Sequence, residues 1–349
     1  MRILTSLALL ASVGAAAAAE SAPASHADPA PKRYELSARA SKIDPLAKEY
    51  PAIGFVFGSA EKPEDLQHAC VDTRVASTGK LVIWLMGPNK ELFDRVSSYG
   101  QHAIQVHYAR GWFGKLYSGP PPKDDLFLSK IRLEAATGED CSDQVAIANP
   151  DCIMQRAYQF VNWLAAENPQ GNWQHFLTKD GTDLLWEKVT LAGISHGATT
   201  AARMAKQVRV DRVVMFSGPR DQFEVWQELP SATPPNRFFG FTHVLDEGWQ
   251  NDHYSRSWLL MKLNDFGPII DVGEVPFPFA DSRRLVTSGD VGGNAERAHN
   301  SVAPGGAAIK VGGKFIHEDV WRYLFTHPVA STGHAVPAEA DCLIDERSK

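Results

Sequence analysis

Gly193-Ile194-Ser195-His196-Gly197 reads G-x-S-x-G, and its flanks give the pentapeptide structural meaning. Ahead of it, Lys188-Val189-Thr190-Leu191-Ala192 is short, apolar and β-branched, the pattern of a buried strand. Behind it, Ala198-Thr199-Thr200-Ala201-Ala202-Arg203-Met204-Ala205-Lys206 is rich in small, helix-favouring residues. Strand, sharp turn and helix predict a strained elbow that exposes the Ser195 hydroxyl. Gly193 and Gly197 suit that geometry, because a side chain at either would crowd the turn and the packing of helix on strand.

Outward from the elbow the chain alternates. Strands are expected at 69–75, 80–86, 103–108, 210–216 and 237–245, and a last one at Arg284–Thr287. The second is fully apolar at Leu81-Val82-Ile83-Trp84-Leu85, as a strand buried on both faces should be. Helices are expected at Lys90–Ser98, 255–263 and 317–326. A further one at Ile153–Glu167 carries Ala157, Phe160, Val161 and Leu164 on one face. A long loop at 109–123 holds Trp112, Phe113, Tyr117 and three consecutive prolines. This order implies an α/β protein, its mostly parallel sheet flanked by helices on both faces.

The front of the chain reads as a targeting segment. Met1-Arg2, an apolar run and small residues up to Ala19 form a secretory signal peptide, so the protein is expected in the periplasm or outside the cell. Residues 20–49 read as a disordered leader, being rich in Ala, Pro and Ser at their start. A single catalytic domain is expected at 50–330, followed by a tail at 331–349. No other apolar stretch reaches the roughly 20 residues of a membrane span. The net charge of -6 argues against a nucleic-acid partner, since no basic surplus exists to neutralise phosphates. Four cysteines in an exported chain suggest two disulfides, for which three pairings exist. Cys141 and Cys152 enclose a short polar segment and are expected to pair. Cys70 with Cys342 would then staple the tail to the body.

The elbow and the order of parts resemble the α/β-hydrolase superfamily over about residues 50–328, in particular its secreted serine esterases and lipases. That resemblance implies a catalytic acid after a later strand and a histidine after the last one. Asp246 stands at the end of the strand running through Phe238-Phe239-Gly240-Phe241-Thr242-His243. His299 follows the last strand, within Ala298-His299-Asn300-Ser301-Val302, which is similar to the loop carrying the base in many such enzymes. The resemblance thus assigns Ser195, His299 and Asp246 to a triad. Asp221 is an alternative acid and His317 an alternative base. The stretch between Asp246 and His299 is longer than a minimal hydrolase needs, so an insertion is expected there.

These residue types match the chemistry. A serine hydroxyl is a poor nucleophile until an imidazole takes its proton, and a carboxylate fixes the tautomer of that imidazole. The backbone N–H of His196, at a helix start after the nucleophile, is one expected oxyanion donor. Pro88 has no N–H, so Gly87 or Asn89 must supply the second, and Gly87 is preferred. Trp112, Tyr117 and Trp249 are candidates for lining the pocket, and Arg220 for binding an anionic substrate. The scattered histidines include no H-E-x-x-H, so neither a metal nor another cofactor is expected. The expectation is an esterase forming an acyl-enzyme from a small-molecule or polymer ester. A serine peptidase of the same fold and a silent binding protein of hydrolase ancestry are the rivals.

Overall fold

Among the residues described by the computed structural model (28–113, 123–221 and 223–338), nine strands form one sheet. They are β1 (Arg33–Arg39), β2 (Leu66–Asp72), β3 (Leu81–Trp84), β4 (His102–Gln105), β5 (Val189–Ile194), β6 (Arg212–Phe216), β7 (Phe238–His243), β8 (Ile269–Asp271) and β9 (Arg284–Thr287). The order is β1-β2-β4-β3-β5-β6-β7-β9-β8. β1 and β2 are antiparallel to each other, and β2 to β4; every other pairing is parallel. This single mostly parallel sheet, with a sharp turn from its central strand β5 into a helix, is the α/β architecture that the sequence implied.

Helices cover both faces because the central strands are apolar on both. Leu81, Ile83, Leu191, Val213 and Met215 pack into one core with the helices Ile153–Glu167 and His196–Gln207. Val82, Trp84, Ala192, Val214 and Phe216 face the opposite core with Lys90–Ser98 and Glu318–Thr326. This is the period-two alternation of a sheet buried on both sides. Ala198, Ala201, Ala202 and Ala205 let the His196–Gln207 helix lie close against the sheet.

Two expectations need correction. The leader expected to be disordered over 20–49 already contains β1, whose register runs from Arg33 opposite Asp72 to Arg39 opposite Leu66. Alternating half-buried residues and the free edge of β2 draw this segment into the sheet. Among the described residues the cysteines are not bridged: Cys70, Cys141 and Cys152 are free thiols. Cys152 caps the Ile153–Glu167 helix, its sulfur accepting from the Gln155 N–H at 3.5 Å, whereas the Cys141 thiol points to the Lys130 carbonyl at 3.3 Å. Buried Glu134 organises the intervening loop instead, accepting from the N–H groups of Cys141, Ser142 and Ile147 at 3.3, 3.0 and 2.7 Å. Residues 1–19, Tyr117 and Cys342 lie outside the described residues. Among those described, no helix is long and apolar enough to cross a membrane.

Candidate active site

The elbow is as tight as its glycines require. A Cβ on Gly193 would lie 2.3 Å from the Gly197 carbonyl carbon, and one on Gly197 would lie 2.1 Å from the Leu85 oxygen. Ser195 itself has φ +56° and ψ -122°, a conformation that costs a non-glycine residue about 1–3 kcal/mol and persists where surrounding structure enforces it. Ser195 is the N-cap residue of the helix, yet its side chain makes no capping hydrogen bond. A serine there normally satisfies its own helix N-terminus. Here the hydroxyl is half-buried and left available.

Asp246 follows β7 and caps the short helix Glu247–Gln250, one carboxylate oxygen accepting from the Gly248 N–H at 2.9 Å. Its other oxygen lies 2.8 Å from Nδ1 of His299. His299 sits in a short helix, Ala295–Ser301, rather than the expected loop. Burial opposes ionisation of Asp246, but the His299 hydrogen bond and charge, the Gly248 amide and Ser217 together hold its pKa below the usual 3.8. The Asp246 carboxylate therefore accepts a proton-bearing Nδ1, which leaves Nε2 of a neutral His299 with its lone pair.

Ser195 and His299 are tied to neighbouring residues at the carboxyl end of β6. The Ser195 N–H donates to the Phe216 carbonyl at 3.0 Å, and the Ser217 hydroxyl donates to the His299 carbonyl at 2.8 Å. Strands β5, β6, β7 and β9 are parallel neighbours, so their carboxyl ends gather Ser195, Ser217, Asp246 and the chain leading to His299 along one rim. Ligands of open α/β sheets bind at this edge.

The competing residues are engaged elsewhere. Asp221 forms a fully buried ion pair with Arg132, at 2.5 Å and 2.9 Å, and accepts from the Trp226 indole at 3.1 Å. His317 is a core residue, 1% exposed, 3.1 Å from the Thr287 hydroxyl and edge-on to Phe241, and burial lowers its pKa to about 4. Trp249 is half-buried and packs against Trp258 of the core. Trp112 and Phe113 stand edge-on to the His196 ring, with centroids 5.0 and 4.9 Å away. Gly87 donates no backbone hydrogen bond among the described residues, while its carbonyl accepts from the Trp84 indole at 2.8 Å. Arg220 is exposed. Among the described residues, no cluster of His, Cys, Asp and Glu has the makings of a metal site.

Sequence reading missed Ser217, Tyr254 and Arg132. Tyr254 comes from the insertion after Asp246 and donates to both Asp246 oxygens, at 3.2 and 3.3 Å. Burial and that carboxylate push its phenol pKa well up, so it stays a donor. Arg132 lies in the helix Phe127–Thr137, which sequence reading did not expect. A buried arginine has no local signature, although an arginine amid Ile131 and Leu133 in an apolar helix was a clue.

No protein-family model matches the chain, and no curated protein matches it. Solved structures similar to it include esterase B from Lactobacillus rhamnosis, at 13% identity and a TM-score of 0.34, covering 78% of this chain and 77% of that one. Another is an α/β serine hydrolase without a lid from Xanthomonas campestris, at 11% identity and a TM-score of 0.29, covering 64% and 78%. A sugar hydrolase from Lactococcus lactis is similar at 16% identity and a TM-score of 0.30, covering 59% and 75%.

Proposed function

We propose that this chain is a serine hydrolase that cleaves carboxylic esters, with Ser195 as nucleophile, His299 as general base and Asp246 as its orienting acid. The observation that carries the reading is the 2.8 Å contact between His299 Nδ1 and Asp246, on the rim where Ser195 holds a strained elbow. In this reading Nε2 of His299 takes the Ser195 proton as the oxygen attacks the ester carbonyl. The N–H groups of His196 and Gly87 stabilise the resulting oxyanion. Collapse expels the alcohol, which leaves with the proton from His299. Water, activated by the same imidazole, then releases the acid from Ser195. Export to the periplasm or beyond belongs to the same proposal and rests on residues 1–19.

A fluorophosphonate probe tests the reading. It should label Ser195, and Ser195→Ala should abolish both labelling and turnover of p-nitrophenyl esters while the melting temperature is kept. Full turnover by that variant would sink the mechanism.

A further inference from the structure

His196, next to the nucleophile, is held in one tautomer. Its Nδ1 lies 3.2 Å from Nη1 of Arg132. A guanidinium only donates, so Nδ1 accepts and the ring proton resides on Nε2. Arg132 is locked in turn by Asp221 and by the Thr200 hydroxyl at 2.8 Å. Burial, then the charges of Arg132 and Arg110, keep the pKa of this imidazole far below its usual range, so Nε2–H is a neutral donor throughout the working pH range.

That donor is buried and, among the described residues, has no hydrogen-bond partner. Nor does Nε1–H of Trp112, a residue only 1% exposed whose ring meets His196 edge-on. Buried polar groups are seldom left unmatched in a folded protein, and exceptions call for an explanation. Beside them stands Arg110, exposed, with both terminal nitrogens 3.9 Å from where a Cβ on Gly87 would lie. Arg110 has no ion pair among the described residues. Glu64 lines the same cleft as Arg110 without pairing with it, and Asp221 is already taken by Arg132. The wall against Gly87 and His196 therefore offers two unmatched N–H donors and an exposed guanidinium, on a chain whose net charge is -6.

We propose that the ester cleaved here carries an ionised carboxylate on its acid half, received by Arg110 together with the Trp112 and His196 N–H donors. This rests on the serine-hydrolase reading above. The acid half is indicated by direction. The alcohol must leave towards His299, which protonates it. The groups against the oxyanion donors Gly87 and His196 then flank what stays on Ser195. A carboxylate supplies acceptor lone pairs for several donors at once and the charge that Arg110 lacks.

The test compares monomethyl glutarate with methyl pentanoate, a neutral ester of similar length, by pH-stat, alongside fluorophosphonate labelling. The wild-type protein should cleave the charged ester with at least tenfold higher kcat/KM. That ratio should fall at least tenfold in Arg110→Gln, and severalfold in Trp112→Phe, which deletes the N–H but keeps a ring. The loss should appear mainly in KM. Labelling of Ser195 without preference for the charged ester, including cleavage of neither, overturns this inference alone. Failure of Ser195 to label, with neither ester cleaved, overturns the hydrolase reading and this inference with it.

Discussion

The Ser217 hydroxyl donates to the backbone carbonyl of His299 at 2.8 Å, although the two residues are 82 positions apart. One residue earlier, the Phe216 carbonyl accepts from the Ser195 amide. The end of β6 thus works as a common clamp for the Ser195 elbow and the helix that carries His299. Ser217 has φ +43°, itself a strained conformation.

Ser217→Ala removes one side of that clamp without touching a reacting atom. A hydrogen bond of this kind contributes roughly 0.5–1.5 kcal/mol. Ester turnover should therefore fall by up to about tenfold, while phosphonate labelling stays at Ser195. Steady-state kinetics with a p-nitrophenyl ester measure it. An unchanged kcat/KM would show that the clamp does not position His299.

Asp246→Asn should lower kcat by roughly 10⁴, because an amide can stabilise the wrong imidazole tautomer and leaves the imidazolium without its counter-charge. The same substitution has a pH signature in stability. The pKa of Asp246 is lower in the folded protein than the usual 3.8, so its ionised form stabilises the fold. That contribution is fully present above about 3.8 and is lost as the pH falls through the folded-state value. In urea titrations, the free-energy difference between wild type and variant should be constant near neutrality and should change only below that pH.

Asp221→Asn tests the other buried carboxylate. Both side chains of the Arg132–Asp221 pair are fully buried. Leaving Arg132 without its counter-ion should destabilise the protein by about 3–5 kcal/mol. Chemical denaturation reads this directly. A loss below 1 kcal/mol would mean that Arg132 finds water or another partner.

The thiols give a covalent check. Alkylation of the denatured protein without reductant should modify Cys70, Cys141 and Cys152, as mass spectrometry of their peptides would show. A peptide joined through Cys141 and Cys152 would contradict the free thiols of this structure.

Much of the site was legible because its parts are local. The elbow, its glycines and the alternation of apolar strands with amphipathic helices are written in short windows. Asp246 could be singled out as a candidate because it follows a plainly legible strand, Phe238–His243. Boundaries were less legible: β2 spans Leu66–Asp72 rather than 69–75, since pairing with β1 and β4 sets where the ladder runs. Residues 33–39 read as leader because an edge strand half-exposed to water has no strong apolar pattern of its own. Cys141 and Cys152 misled because closeness in sequence says nothing about which elements two thiols face.

The chain alone determined the elbow, the sheet that presents it and the residue types available at its rim, since hydrophobic period and turn chemistry are properties of neighbouring residues. Tertiary structure decided which of two aspartates meets His299 and which is consumed by Arg132. It also decided that Ser217 and Tyr254 brace that pair and that Trp112 and His196 keep unmatched N–H groups. Each of those outcomes depends on groups distant in sequence coming within 3–4 Å, where hydrogen bonding and charge act, and only the folded sheet brings them there.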